Sequence, residues 1–233
     1  MPATLSIVVP VCNERDTWRE VLARLEDVDL GRIERQIILV DDGSTDGTTE
    51  QLRAFAADRP DVVVKFHPHN RGKGAALRTG FAAATGDFVI VQDADLEYDP
   101  SDFPSLLEPL LADQADVVYG SRFTTGRSGA KISNYLANRF LTWLSNRTTD
   151  LGLADMETCY KMFRRAVLER IDLCEDRFGF EPEITAKVAS LGVRLCQRPI
   201  SYSPRTVLEG KKIGLTDGIE AIRCIFRYRP SRR

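Results

Sequence analysis

No stretch of this 233-residue sequence approaches the roughly 20 consecutive apolar residues of a membrane-spanning helix, so any contact with a bilayer is expected to be peripheral. No secretion leader is expected at the start of this sequence either. Leu5 to Val11 reads as a short strand, without a basic flank or a cleavage site. Cysteine is sparse: Cys12, Cys159, Cys174, Cys196 and Cys224 are odd in number and form no C-x-x-C pair. They read as reduced thiols of a cytoplasmic protein, mostly packed in its core. Histidine occurs twice, as His67 and His69 around Pro68 with no cysteine beside them, and no metal role is expected there. An excess of one charge is lacking too. With 32 basic against 34 acidic residues the net charge is -2, which gives no bulk attraction to nucleic acid. The remaining composition, 43% hydrophobic and 28% charged, is that of a globular protein with ample core for one large domain or two small ones.

Alternation is what the sequence has in abundance. "LSIVVPV", "RQIILV", "DVVVKF", "DFVIVQ" and "ADVVYGS" read as buried strands. Between them, "TWREVLARLEDV", "TTEQLRAFAAD", "GAALRTGFAAA" and "FPSLLEPLLAD" carry helical periodicity. Continuous Val/Ile runs alternating with helices imply an α/β sheet of parallel strands covered on both faces. Every strand then exits into polar residues: Asn13 and Glu14; Asp41, Asp42 and Gly43; Asn70 to Lys73; Asp93 and Asp95; Ser121 and Arg122. One such exit would be ordinary turn chemistry. Five together, at the edge where open parallel sheets bind ligands, mark a site.

The mixture of charges narrows the ligand. Asp93 and Asp95 suit a hard divalent cation such as Mg2+ or Mn2+, provided the chain turns so that both reach one ion. Arg71, Lys73 and Arg122 suit phosphate oxygens. Metal and basic groups at strand ends describe a nucleoside diphosphate site. "NRGKGAALRTG" lacks the G-x-x-x-x-G-K-[ST] spacing of a Walker loop. The aromatics of "RFLTWLSN", Arg139 to Asn146, are expected in the core, and the C-terminal "IEAIRCIFRYRPSRR" is expected as a docked amphipathic helix with a solvated basic face.

The segments "LSIVVPVCNE", "IILVDDGSTDGT", "NRGKGAALRTG", "VIVQDADLEYDP" and "VVYGSRF" resemble, in order and spacing, family 2 glycosyltransferases of the GT-A fold. The resemblance is strongest to the dolichol-phosphate mannose synthase and polyprenyl-phosphate glucosyltransferase branch. It continues through "LADMETCYKMFRRAVL", "FGFEPEITAK" and "ISYSPRTVLEGKKIGLTDGIEA". It implies one Rossmann-like α/β domain with a mostly parallel sheet flanked by helices, residues 1–125 forming a nucleotide-sugar half and 126–233 an acceptor half with the C-terminal helix. By the resemblance, Pro10, Glu14, Asp41 and Asp42 line the base and ribose pocket, and Gly72 and Lys73 the nucleotide side. Asp93, Ala94 and Asp95 form the metal-binding D-x-D, with Glu97 where a further ligand sits in some relatives. Arg122 faces phosphate near the acceptor, Asp155 lies near sugar and acceptor, and Arg205, Lys211 and Lys212 belong to a basic loop that closes over the diphosphate. Asp95, Arg122 and Asp155 are the expected catalytic residues.

The implied reaction is metal-dependent, inverting transfer of a hexose from a UDP- or GDP-sugar to a polyprenyl or dolichyl phosphate, which is already anionic and needs no base. A soluble hydroxyl acceptor is the alternative, with Asp155 as first candidate base. A haloacid-dehalogenase-type phosphotransferase would place its D-x-D on an early strand, not after the fourth. A non-catalytic nucleotide-sugar binder would not need the intact D-x-D.

Overall fold

The computed structural model describes residues 2–123, 131–205 and 215–230. The five expected strands form: β1 (Thr4–Val11), β2 (Glu34–Asp41), β3 (Val63–Phe66), β4 (Phe88–Val91) and β5 (Val117–Ser121). All run in one direction. Two further strands complete a seven-stranded sheet, β6 (Lys161–Arg164) and β7 (Leu195–Pro199), in the order β3-β2-β1-β4-β6-β5-β7. β6 is antiparallel to both neighbours, pairing Val89 with Phe163 and Val118 with Met162. Four residues are too few to show a period, and sheet pairing alone makes "KMFR" a strand. Because β6 runs backwards, its entry sits beside the exits of β4 and β5. That delivers residues 155–160 to the edge where the acidic loops emerge.

The helices cover both faces: α1 (Trp18–Asp27), α2 (Thr48–Asp58), α3 (Lys73–Ala83), α4 (Phe103–Leu111), α5 (Ile132–Thr149), the single turn α6 (Arg165–Leu168), α7 (Phe180–Leu191) and α8 (Leu215–Arg227). α1 buries Trp18, Val21, Leu22 and Leu25, the three-and-four spacing of one apolar stripe. α3 is Ala-rich for a packing reason. A Cβ on Gly80 would collide with Val8 and press on Val40, so α3 lies directly on β1 and β2. α5, α7 and α8 pack against one another.

One expectation reverses. Phe140 and Trp143 of "RFLTWLSN" are exposed, and α5 instead buries Asn138, Thr142 and Ser145. The short polar face is drawn inward because Asn138 donates to Asp155 and the Thr142 hydroxyl accepts from the Met156 amide at 3.1 Å. Cys159 and Cys224 are buried, Cys12 and Cys196 half-buried, Cys174 exposed, and all five are free thiols. Among the described residues no helix is long and apolar enough to cross a membrane.

Candidate active site

Strands are added on one side of β1 up to β3 and on the other side from β4, so the order switches between β1 and β4. Ligands of open α/β sheets bind in that crevice, outside the carboxyl ends. Here it holds Glu14 from β1 and Asp93 and Asp95 from β4. Pro10 stands half-buried at the end of β1, in register with Val40.

After β4 the chain turns sharply. Leu96 adopts φ 63, a left-handed conformation that costs a non-glycine residue energy, and the Glu97 amide donates to Asp95 Oδ1 at 3.1 Å. The Thr17 hydroxyl, at the start of α1, lies 2.7 Å from both the Ala94 carbonyl and Glu14 Oε2 and shares its single proton between them, tying the D-x-D turn to the β1 exit. Arg205 bridges both loops, reaching Glu14 Oε1 at 3.0 Å and Asp95 Oδ2 at 3.1 Å. Lys73 reaches across to Asp93 at 2.9 Å and to Glu181 of α7 at 3.5 Å. Glu181 in turn pairs with the fully buried Lys161 of β6. Burial works against the Lys73 ammonium, yet Asp93 chiefly, with Cys159 and Glu181, holds it protonated well above its ordinary range. Lys161 and Glu181 fall within "LADMETCYKMFRRAVL" and "FGFEPEITAK", but their pairing had no signal in the sequence, because only the reversed strand brings β6 and α7 together.

Asp95 is the most perturbed carboxyl of the crevice. Burial, then the charges of Asp93 and Glu97, push it up to about 7, against the pull of Arg205. A carboxyl forced towards its protonated form beside other carboxylates would be relieved by further positive charge at that place. Mg2+ fits this donor set, since it commonly takes one or two protein carboxylates and completes its shell with phosphate oxygens and water; the oxygen donors suit Mn2+ equally. Glu97 departs from the expected ligand set. Its carboxylate accepts from the Arg205 amide at 2.8 Å and the Tyr202 hydroxyl at 3.1 Å. Among the described residues no three acidic, histidine or cysteine side chains converge on one cation position.

Several expected ligand-reading residues turn out to hold the site's own loops. Asp41 is fully buried and accepts from the Ser44 amide and the Thr49 hydroxyl. Asp42 accepts from the Arg71 amide at 3.0 Å, the Gly72 amide at 2.7 Å and the His67 ring at 2.6 Å. That fills three of its about four acceptor positions, so Asp42 braces the loop that follows β3. Gly72, with φ 106, lies where a Cβ would strike the Asp176 carbonyl. The Ala75 amide donates to that carbonyl at 3.1 Å. Gly72 and the Ala75 amide therefore face the protein, while Lys73 reaches into the crevice.

At the β5 exit, Arg122 forms a two-pronged pair with Asp155, Nε at 2.7 Å and Nη2 at 2.8 Å, while its own amide and Asn138 donate at 3.1 and 3.2 Å. Burial pushes the Asp155 carboxyl up, but Arg122 outweighs it and holds it below the usual carboxylate range. With four donors on a fully buried carboxylate, Asp155 is an anchor for Arg122 and is unsuited to the expected role of base. The Arg122 guanidinium also lies 5.1 Å from the centre of the Tyr202 ring. Glu157, two residues on, was missed. Its Oε1 is buried without a hydrogen-bond partner among the described residues, and burial with the Glu181 charge raises its carboxyl to about 7. Lys211 and Lys212, and most of the expected closing loop, lie outside the described residues.

A family model described as glycosyl transferase family 2 matches residues 6–172. The undecaprenyl-phosphate 4-deoxy-4-formamido-L-arabinose transferase of Klebsiella pneumoniae is 31% identical, over 89% of this chain and 62% of that protein. The chain thus spans less than two thirds of that relative's length. The undecaprenyl-phosphate mannosyltransferase of Micrococcus luteus is 30% identical, over 95% of this chain and 92% of that protein. Among solved structures, glucosyl-3-phosphoglycerate synthase from Mycobacterium tuberculosis in complex with Mg2+ and uridine diphosphate superposes with a TM-score of 0.73 at 23% identity, covering 97% of this chain and 79% of that one. That likeness establishes a shared fold.

Proposed function

The chain belongs to glycosyltransferase family 2 and has the GT-A fold, and from that premise we propose that it moves a hexose from a UDP- or GDP-sugar to a polyprenyl phosphate, with inversion, at a membrane surface. The observation that carries this reading is the Arg122–Asp155 pair. It offers a fixed guanidinium beside an acidic group with no basicity to spare, which suits an acceptor that arrives already anionic and needs orientation more than deprotonation. The undecaprenyl-phosphate transferases among the relatives support the same acceptor class.

In this reading residues 1–125 hold the donor and residues 126–233 the acceptor. Asp93 and Asp95 hold Mg2+ or Mn2+, whose charge stabilises the departing diphosphate. Lys73 and Arg205, at present paired to those carboxylates, turn to the diphosphate oxygens when donor arrives. Glu14 keeps Arg205 at the mouth of the crevice. Arg122 points the acceptor phosphate at the anomeric carbon, opposite the leaving group. Asp41 and Asp42 act on the nucleotide through the loops they hold.

A second reading has its own observation. A hydroxyl acceptor needs a base, and Glu157, with a buried unpartnered oxygen and a value near neutrality, has the properties Asp155 lacks. Family membership sets the phosphotransferase alternative aside. The deciding experiment is a panel of UDP- and GDP-sugars with Mg2+ or Mn2+, scored for nucleoside diphosphate release with and without a polyprenyl phosphate. Release that depends on polyprenyl phosphate and is unaffected by Glu157→Gln supports the first reading. Release driven only by hydroxyl acceptors and lost in Glu157→Gln replaces it with the second.

A further inference from the structure

Six of the seven large apolar side chains that stand exposed among the described residues lie on two neighbouring helices. On α5, Ile132, Leu136, Phe140 and Trp143 recur every three or four residues, so they share one face, and each is 51–60% exposed. Phe140 and Trp143 stack with ring centres 6.0 Å apart. α8 packs against α5 and turns Ile219 and Phe226, seven residues apart, to solvent. α5 thus differs from an ordinary surface helix: Asn138, Thr142 and Ser145, with Leu141 and Leu144, face the protein, and a second apolar row faces out. Apolar exposure of this extent marks a surface that meets something.

The charges beside these rows say what. From Ile132 to Thr149 there is no aspartate or glutamate, and Arg139 and Arg147 are exposed on the apolar side. The Arg147 guanidinium lies 5.9 Å from the Trp143 ring centre. On α8, exposed Arg223 falls between Ile219 and Phe226, while Asp217 and Glu220 lie off that row. Apolar and aromatic side chains flanked by arginine are the composition of a helix that lies in the headgroup region of an anionic bilayer, its guanidiniums reaching the phosphates. A second copy of the chain would instead set two arginine-bearing rows against each other, with no acid on those rows among the described residues to receive them.

We infer that the outer face of α5 and α8 is a docking surface for an anionic lipid bilayer, engaged in the plane of the interface. The inner face of the same α5 holds the site, through Asn138 on Asp155 and Thr142 on the Met156 amide. Docking therefore sets the Arg122–Asp155 end of the crevice near the headgroups. The inference deepens the polyprenyl phosphate reading and rests on it for its purpose, since such an acceptor presents its phosphate at that surface.

The test is flotation with vesicles of phosphatidylcholine containing about one-third phosphatidylglycerol, against phosphatidylcholine alone. The wild-type chain is expected to float with the anionic vesicles and about tenfold less with the neutral ones. The double variant F140E/W143E, altered only at exposed positions, should keep its circular dichroism and its uridine diphosphate affinity, and bind anionic vesicles about tenfold more weakly. Its transfer to a long polyprenyl phosphate in vesicles should fall in step, and its transfer to a short, water-soluble prenyl phosphate should not. A wild-type chain that stays out of the anionic vesicle fraction overturns the inference, as does a variant that floats equally well. A concentration-dependent dimer that the variant abolishes assigns the face to a second copy and overturns it too. Intact vesicle binding with no transfer to any prenyl phosphate would remove the acceptor reading and leave the docking surface standing.

Discussion

Asp95 sits where two neighbouring carboxylates make its own charge unwelcome. Its value in the fold, about 7, stands above the roughly 3.9 of an unfolded aspartate. Its ionisation therefore works against the fold as pH rises from about 4 to about 7, and that penalty is fully present at higher pH. Asp95→Asn removes the charge and keeps the shape. The variant should melt higher than wild type at pH 8 in chelator, yet lose transfer by about a hundredfold or more, because the charged oxygen that holds the cation is gone. Near-normal turnover would end the metal role of the D-x-D. Arg122 presents the opposite case. Asp155 is held below its unfolded value, so the pair stabilises the fold above about pH 4 and loses that contribution as pH falls lower. Arg122→Ala leaves a buried carboxylate uncompensated and should cost about 3–5 kcal/mol near pH 7, with a smaller deficit in acid. Urea denaturation at the two pH values measures both numbers, and a deficit that does not shrink in acid would mean the loss is one of packing.

At the scale of elements, the same substitution should have opposite signs in two helices. Gly80 lets α3 rest on Val8 and Val40, and Gly80→Ala must push the helix off β1 at a cost of about 1–3 kcal/mol. That is a melting point lower by roughly 2–4 °C per kcal/mol. Gly218, inside α8, has nothing near its absent Cβ among the described residues, and Gly218→Ala should stabilise by up to about 1 kcal/mol through helix propensity. Calorimetry of the two variants side by side tests whether α3 packs where the structure puts it. Equal effects would show that propensity, and no close approach, governs both.

At the scale of the molecule, the crevice is a charge balance that ligands must rearrange. Lys73 and Arg205 neutralise Asp93 and Asp95; in the proposed reading, donor and cation together would let the acids hold the metal and the bases hold phosphate. Protons compete with the cation at Asp95 below about pH 7. The rise in melting point produced by Mn2+ with uridine diphosphate should therefore be larger at pH 8 than at pH 6. A thermal shift independent of pH across that window would show that Asp95 is not where the ion binds.

The α/β rhythm, five strands, their common direction and the polar exits were all determined by local sequence, because continuous Val/Ile runs and a 3.6-residue period are properties of neighbouring residues. The acidic turn after β4 was legible for the same reason. What the chain alone could not show was which charges meet. Glu181 reaches Lys73 and Lys161, and Asp155 reaches Arg122, across 20 to 108 positions. Those meetings exist because a four-residue strand inserts backwards between β4 and β5, an event decided by sheet pairing and invisible to periodicity. The partners of Asp42 and Glu97 were out of reach likewise, since which donors surround an acid is decided by the fold. So too with α5, whose apolar row has the spacing of a core helix. Only the positions of Asp155 and the Met156 amide, which claim its polar face, decided that the aromatic face would point outward.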